Sequence, residues 1–110
     1  MEINLDDLSV KNNAAEHRYE VAVGDQIAVL TYRLVGERIT LIHTGVPETL
    51  AGHGIAGKLA QFALNDARES GLAVIPRCPY IVRYIQRHKE YADVVIPEER
   101  AGYLAPETAQ

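Results

Sequence analysis

The hydrophobic residues of this chain change their spacing near its middle. Between residues 9 and 46 they alternate with other residues, as in RYEVAV, QIAVLTYRLV and RITLIHTGV. Because successive side chains of a strand point to opposite faces, this period of two predicts strands with one buried face. The connections VGDQ and VGER each carry a glycine and a charge, which is typical of tight hairpin turns. The first half is therefore predicted to be an antiparallel meander.

The second half has the spacing of helices. Apolar residues recur every three or four positions from about Gly54 to Ser70, and Gly71 is suited to end that helix. The short apolar run LAVIP predicts a buried strand parallel to RITLIHT, since a strand–helix–strand connection normally crosses over in this way. PYIVRYIQRH predicts a second helix. The residues expected to face inward are Ile55, Leu59, Ala60, Ala63, Leu64 and Ala67 in the first helix and Ile81, Val82 and Ile85 in the second.

Together these elements predict an α/β (α+β) fold, in which a meander continues into a βαβ unit with helices packed on the sheet. A chain of 110 residues is expected to form one domain, placed at residues 1–96, with a fraying tail at 97–110. The net charge of −4 argues against a general nucleic-acid binder. One cysteine, no apolar run of about 20 residues and a polar, acidic start predict a cytoplasmic protein outside the membrane.

The segment AGHGIAGKLA contains two overlapping phosphate-binding patterns. Gly52, Gly54 and Gly57 spell G-x-G-x-x-G, and Gly52 to Lys58 spell most of a P-loop. Leu59 stands where a P-loop needs serine or threonine, and IPRCPY lacks the carboxylate that a dinucleotide domain expects. What both patterns share is a glycine bend whose free amides, at a helix start, attract phosphate oxygens. The alternative is that the glycines serve a turn and its packing alone.

A family resemblance points to one kind of phosphate. The meander followed by Gly52-x-Gly54-x-Ala56, a helix and a parallel strand resembles the GNAT superfamily of acetyl-CoA-dependent acetyltransferases, whose loop reads Q/R-x-x-G-x-G/A. The small single-domain branch of N-acetyltransferase domain-containing proteins is the closer resemblance and covers about residues 14 to 95. Its segments are HTGVPETLAGHGIAGKLAQFAL, PRCPYIVRYIQRH and EYADVV. Thr49 departs from the pattern, because it stands in the place of Gln or Arg.

The resemblance implies a site between two splayed parallel strands. The backbone of His43, Thr44, Gly45 and Val46 would pair with the pantetheine arm, and the diphosphate would lie on the amides of Gly52 to Gly57, with Lys58 as an added charge. The rule that ligands bind beyond the carboxyl ends of parallel strands selects the same place independently. The residues predicted to hold acetyl-CoA are His43, Thr44, Val46, Gly52, His53, Gly54, Ile55, Ala56, Gly57, Lys58, Cys78, Tyr84 and Arg87.

Cys78 is the candidate for chemistry near that gap. Pro79 favours a first helical turn, which puts Cys78 at or next to the N-cap, where the helix end favours a thiolate. The thiol either accepts the acetyl group and passes it on, or the substrate amine attacks acetyl-CoA directly with help from a base and an acid. The alternative is a small buried hydrophobic residue.

Other candidates surround Cys78 in the predicted fold. His43, placed on the face of Ile39 and Leu41, is either a core residue, or a base or an orienting partner for Cys78. Tyr80 or Tyr84 could protonate the leaving thiolate, although Tyr80, Tyr84 and His88 also have the spacing of a packing stripe. Arg87, with Arg83, His88 and Lys89, is either a solvated face or a contact for the phosphate of CoA. The histidines and cysteine lack zinc spacing, so no metal is predicted.

The predicted function is acetyl transfer from acetyl-CoA to an amine acceptor by a monomer or weak dimer. The acceptor, a small molecule or a protein, is left open by the sequence. A CoA-binding module without turnover is the alternative, because Thr49 replaces the usual Gln or Arg and no buried glutamate base is evident. A purely structural interaction domain is a third.

Overall fold

The computed structural model describes residues 3–104, which form one five-stranded sheet with helices packed on it. The strands follow the order of the sequence across the sheet, the first four antiparallel and the fifth parallel to the fourth. The predicted meander and the predicted parallel strand are therefore confirmed. The strands are β1 Val10–Asn13, β2 Arg18–Val23, β3 Gln26–Val35, β4 Arg38–Gly45 and β5 Ala73–Pro76; the helices are α1 Ile55–Ser70, α2 Pro79–Arg87 and α3 Pro97–Leu104.

The core lies between one face of the sheet and helices α1 and α2. The six residues predicted for the inner face of α1 are the six that it buries, and Gly71 ends the helix in the left-handed conformation with φ 72°. In α2, Ile81 and Ile85 are buried as predicted, while Val82 is only half-buried. From the sheet, the fully buried side chains facing these helices include Tyr19, Val21, Leu30, Ile39 and Leu41. None of the helices within residues 3–104 is both long and apolar enough to cross a membrane.

A β-bulge interrupts the pairing of β3 with β4. Thr31 lies opposite His43 and Tyr32 lies opposite Leu41, so Ile42 is an extra residue on β4. An extra residue reverses the alternation beyond it. Thr44 therefore points toward the helices, whereas His43 is exposed on the other face of the sheet. The prediction that His43 shares the face of Ile39 and Leu41 is wrong for this reason.

The segment after residue 96 is more regular than its sequence pattern predicts. Pro97–Leu104 form helix α3, which is held by ion pairs from Glu98 to Arg38 at 2.9 Å and from Glu99 to Arg77 at 2.7 Å. Tyr103 is buried against the core. Because these contacts come from distant parts of the chain, the local spacing gives no sign of them. The expectation of an irregular tail is corrected for residues 97–104, and residues 105–110 lie outside the described part.

A part-buried hydrogen bond joins α1 to the sheet and should contribute to the stability of the fold. The Tyr19 hydroxyl donates to Asp66 Oδ2 at 2.8 Å, and Tyr19 is 1% exposed. Tyr19→Phe should lower the free energy of unfolding by about 1–3 kcal/mol, because the lost bond goes to a charged acceptor. Tyr32→Phe is the matched control, since it removes a bond of 2.7 Å to the neutral amide of Asn12 and should cost only about 1 kcal/mol. Urea unfolding at pH 7 measures both, and equal losses would contradict the assignment.

Candidate functional site

The start of α1 presents backbone amides that the helix itself does not use. Gly54 is the N-cap in the left-handed conformation with φ 81°, and no side chain of residues 3–104 caps the helix. The Lys58 amide donates to the Gly54 carbonyl at 3.1 Å, so the helical bonds begin there. The amides from Gly54 to Gly57 therefore have no carbonyl of the helix to which they can donate. Together with the helix dipole they form a site that favours an anion.

The three glycines of this segment have different roles. Gly52 and Gly54 have φ values of 84° and 81°, a conformation that favours glycine and turns the chain into α1. Gly57 is helical, and a Cβ atom there would lie 3.3 Å from the Tyr80 hydroxyl oxygen. This third glycine therefore permits the close approach of α2 to α1. Packing explains Gly57, whereas the first two glycines shape the amide-bearing bend.

A groove of about 300 Å³ runs beside this bend. One side is formed by the end of the meander and the turn before α1, and the other includes the first turn of α2. Its polar surface therefore consists largely of main chain, with one phenol. The residues that line it are Val46, Leu50, Ala51, Gly52, Gly54, Ile55, Ala56, Gly57 and Tyr80.

Strands β4 and β5 part close to this groove. Their parallel pairing ends at Leu41 and Pro76, and the amides of Arg77 and Cys78 both donate to the Leu41 carbonyl at 3.0 Å. Strand β4 then continues to Gly45 beyond the end of β5. Residues 42–45 of β4 thus extend past the last ladder pair with β5, as the predicted splay requires.

Cys78 lies where the two strands part. It is the N-cap of α2, with Pro79 at the first helical position as the sequence predicts, and it is 4% exposed. Its sulfur lies 3.3 Å from the Thr44 hydroxyl oxygen. A small hydroxyl from β4 therefore contacts the thiol from the end of β5.

The surroundings of Cys78 act on its pKa in opposite directions. Burial raises the pKa of the thiol, because a charged sulfur is costly away from water. The hydrogen bond with Thr44 lowers it, and the backbone amides of Ile81 and Tyr80 lower it further. The lowering effects are larger in sum, so the pKa of Cys78 lies below its ordinary value.

Two half-buried tyrosines continue the site along α2. Burial raises the pKa of Tyr84 to about 12, and burial also raises the pKa of Tyr80 despite the opposing charges of Arg87 and Arg83. Both phenols therefore keep their protons at neutral pH and can donate them. The rings of Tyr80 and Tyr84 lie 6.3 Å apart, and Tyr84 stacks on His88 at 4.2 Å. The stripe thus serves packing as well.

Several predicted site residues lie away from the groove's lining. His43 faces the opposite side of the sheet, and His53 and Arg87 are exposed. Lys58 lines a second groove of about 330 Å³, together with residues that include Gln61, Phe62 and Asn65. Thr49 is exposed, and its hydroxyl donates to Gln26 Oε1 at 2.6 Å. Within residues 3–104 there is no group of three or more His, Cys, Asp or Glu side chains that could hold a metal ion.

The Thr44 hydroxyl is the contact that the sequence pattern does not reveal. The sequence pattern predicts a backbone role for Thr44 and makes His43 the candidate partner of Cys78. The bulge at Ile42 exchanges these two neighbours, and a bulge leaves no clear mark in a run such as RITLIHTG. The extra residue would have to be known before the side chain could be assigned.

Known proteins of similar sequence or fold agree with this architecture. A family model described as GCN5-related N-acetyl-transferase matches residues 18–94. The protein NATD1 is 44% identical over 62 residues in Gallus gallus, which is 56% of each chain. In Homo sapiens NATD1 is 44% identical over 56% of this chain and 55% of its own, so this chain spans little more than half the length of these curated relatives.

A solved structure extends the likeness to most of the chain. The NMR solution structure of a GCN5-like protein from Staphylococcus aureus has a TM-score of 0.64 and 29% identity. The match covers 82% of this chain and 89% of that protein. The likeness therefore includes both the sheet and the helices packed on it.

Proposed function

Because the chain belongs to the GCN5-related N-acetyltransferase family, we propose that it transfers the acetyl group of acetyl-CoA to an amine. The observation that carries this proposal is the groove between the uncapped start of α1 and the first turn of α2. It offers main-chain donors at one end, beside the place where β4 and β5 part. A long ligand with an anionic middle and an uncharged acyl arm has matching chemistry.

The residues of the groove fit such a ligand. The diphosphate of acetyl-CoA would accept hydrogen bonds from the amides of Gly54 to Gly57 and gain from the positive end of α1. The pantetheine amides would pair with the backbone of β4 beyond Leu41, where β5 has ended. Lys58 and Arg87 lie outside the lining of the groove, so the amides carry the diphosphate contact in this proposal.

Cys78 would receive the acetyl group first. Its thiolate attacks the thioester carbonyl, so that a new carbon–sulfur bond forms on the enzyme and the bond to the sulfur of CoA breaks. The departing CoA thiolate takes a proton from a phenol, for which Tyr80 in the groove is the better placed candidate and Tyr84 the second. Water then restores the proton of that phenol.

An amine completes the transfer. The neutral amine attacks the acetyl group on Cys78, an amide bond forms, the carbon–sulfur bond breaks, and the nitrogen loses a proton to water. Because the groove is open to solvent, the acceptor approaches from that side. Direct attack of the amine on bound acetyl-CoA is the other route, and it forms no acetylated Cys78.

A CoA-binding module without turnover is the second candidate. It is favoured by Thr49, which stands at the Gln or Arg position of the family pattern and bonds with Gln26. Release of free CoA in the presence of a panel of amines separates the candidates, because only a transferase releases CoA faster when an amine is added. Binding of acetyl-CoA without any amine-dependent release would select the module.

Ligand-dependent thermal stability tests the binding that both candidates require. We expect acetyl-CoA and CoA at 100 times their dissociation constants to stabilise the fold by about 2.7 kcal/mol, whereas ATP should have a smaller effect. The measurement is the melting temperature of the protein with each ligand at equal ionic strength. Stabilisation by ATP but not by CoA would contradict the proposal and favour a nucleoside triphosphate.

A further inference from the structure

We infer that Thr44 is a positioning residue whose hydroxyl donates a hydrogen bond to the Cys78 sulfur and stabilises its thiolate form. The use of this sulfur in acetyl transfer rests on the proposed function, whereas its ionisation is a property of the free protein. The hydrogen bond exists in the free protein, so its effect on the ionisation of the sulfur does not require a bound ligand. A neutral hydroxyl stabilises a thiolate only as a hydrogen-bond donor; unlike the histidine of many cysteine enzymes it takes no proton, so the sulfur loses its proton to water.

The contact between the two side chains is direct. Thr44 Oγ1 and Cys78 Sγ lie 3.3 Å apart, and the residues are 34 positions apart in the sequence. While the sulfur carries its proton, either atom can donate; once the sulfur is charged, only the hydroxyl can. A hydrogen bond to an ionised acceptor is stronger than one between neutral groups, so the contact favours the charged form.

The bulge decides which β4 side chain meets the sulfur. With Ile42 as the extra residue, Thr44 turns toward Cys78 and His43 turns to the exposed face. Without that residue the alternation would direct the imidazole inward. The bulge therefore places the uncharged hydroxyl of Thr44 beside the sulfur, where a regular strand would place the imidazole of His43.

Among the side chains of residues 3–104, Thr44 is the hydrogen-bond partner of the Cys78 sulfur. The charged and titratable groups around Cys78 have other positions or partners. On α2, Tyr80 interacts electrostatically with Cys78 and stays protonated at neutral pH, because burial raises its pKa. Arg77 precedes Cys78 and pairs with Glu99 of α3 at 2.7 Å. His43 lies on the far face of β4, and Lys58 of α1 lines the second groove. The sulfur should therefore ionise in a single step, without a coupled histidine.

The rate of thiol alkylation tests this inference in the free protein. Iodoacetamide forms one carbon–sulfur bond with the thiolate and releases iodide, and Cys78 is the sole cysteine of the chain. Intact mass gives the rate at each pH between about 5 and 10 without acetyl-CoA. Thr44→Val keeps the shape and removes the hydroxyl, Thr44→Ser keeps the hydroxyl, and Cys78→Ala gives the background.

The expected result is a displaced pH profile rather than a lower plateau. Thr44→Val should react about tenfold more slowly at pH 7, because a hydrogen bond to a charged group is lost, and it should regain the wild-type rate at high pH. Thr44→Ser should retain the wild-type midpoint. A midpoint shared by wild type and Thr44→Val would overturn the inference, as would a rate reduced equally at every pH, which indicates altered access instead.

A second substitution protects the test against a folding defect. If Thr44→Val lowers the melting temperature, Thr44→Ala removes the same hydroxyl without the branched side chain and should show the same displaced midpoint. The melting temperature of each variant without ligand shows whether its alkylation rates refer to folded protein. If the Thr44 variants show the displaced midpoint but the wild-type protein transfers no acetyl group, the proposed function is rejected while the role of Thr44 is supported. If the wild-type protein transfers acetyl but the midpoints coincide, the role of Thr44 is rejected and the proposed function stands.

Discussion

Replacing Ala56 with aspartate should lower the affinity for acetyl-CoA by at least about a hundredfold while leaving the fold intact. Ala56 is the second residue of α1, is half-buried and lines the groove. A carboxylate there would face the diphosphate, and juxtaposed like charges cost several kcal/mol, where about 1.4 kcal/mol is a factor of ten. The same carboxylate suits the start of a helix and should stabilise it by about 0.3–1 kcal/mol. Affinity and stability are thus expected to change in opposite directions.

The matched control is Ala56→Asn, which has nearly the same size without the charge. Isothermal titration with acetyl-CoA and urea unfolding give the two quantities for each variant. Loss of binding in Ala56→Asp with most binding retained in Ala56→Asn would support the diphosphate assignment. Equal affinities for the two variants would place the diphosphate elsewhere. Gly54→Asp is less suitable, because φ is 81° and a Cβ would lie 3.0 Å from Leu5 Cδ1, so strain would obscure the charge effect.

The helices and strands could be predicted well because their signals are local. The six buried residues of α1 follow from spacing alone, and Gly71 and Pro79 mark helix ends through their backbone preferences. Strand β5 is short, but a chain that leaves a sheet through a helix normally returns to it as a parallel strand, and this rule predicts β5. In each case a few neighbouring residues carry the information that decides the structure.

The parts that could not be predicted depend on contacts between distant residues. Helix α3 is held by Arg38 and Arg77 from two other elements, and its own sequence has no regular apolar stripe. The bulge at Ile42 arises from the pairing of β4 with β3, and it moved the inner position from His43 to Thr44. One extra residue thus changed the chemistry expected beside Cys78, although the strand itself was predicted correctly.

The glycine segment lies between these two cases. Its spacing is shared with two other classes of phosphate site, and neither has its required partners in this chain. The structure separates Gly52 and Gly54, which shape the bend, from Gly57, which admits Tyr80 beside α1. Motif letters alone could not make that division, because it depends on where α2 packs.

Cys78→Ala should abolish covalent acetylation and slow amine-dependent CoA release by at least about a thousandfold. In the proposed route the Cys78 thiolate takes the acetyl group before the amine does, so a methyl group in its place leaves no acceptor. Wild-type protein incubated with acetyl-CoA alone should gain the mass of one acetyl group, and Cys78→Ala should gain none. Intact mass and CoA release from the same samples measure the two effects.

Cys78→Ser sharpens this test because it keeps the size and the contact with Thr44 but not the ionisation. A hydroxyl remains protonated near pH 7, so this variant should also fail to accept acetyl while it binds acetyl-CoA as tightly as wild type. Binding measured by thermal shift then separates a lost nucleophile from a damaged groove. Amine-dependent CoA release at the wild-type rate in Cys78→Ala would establish direct attack by the amine, and the role of the buried thiol would reduce to shaping the end of β5.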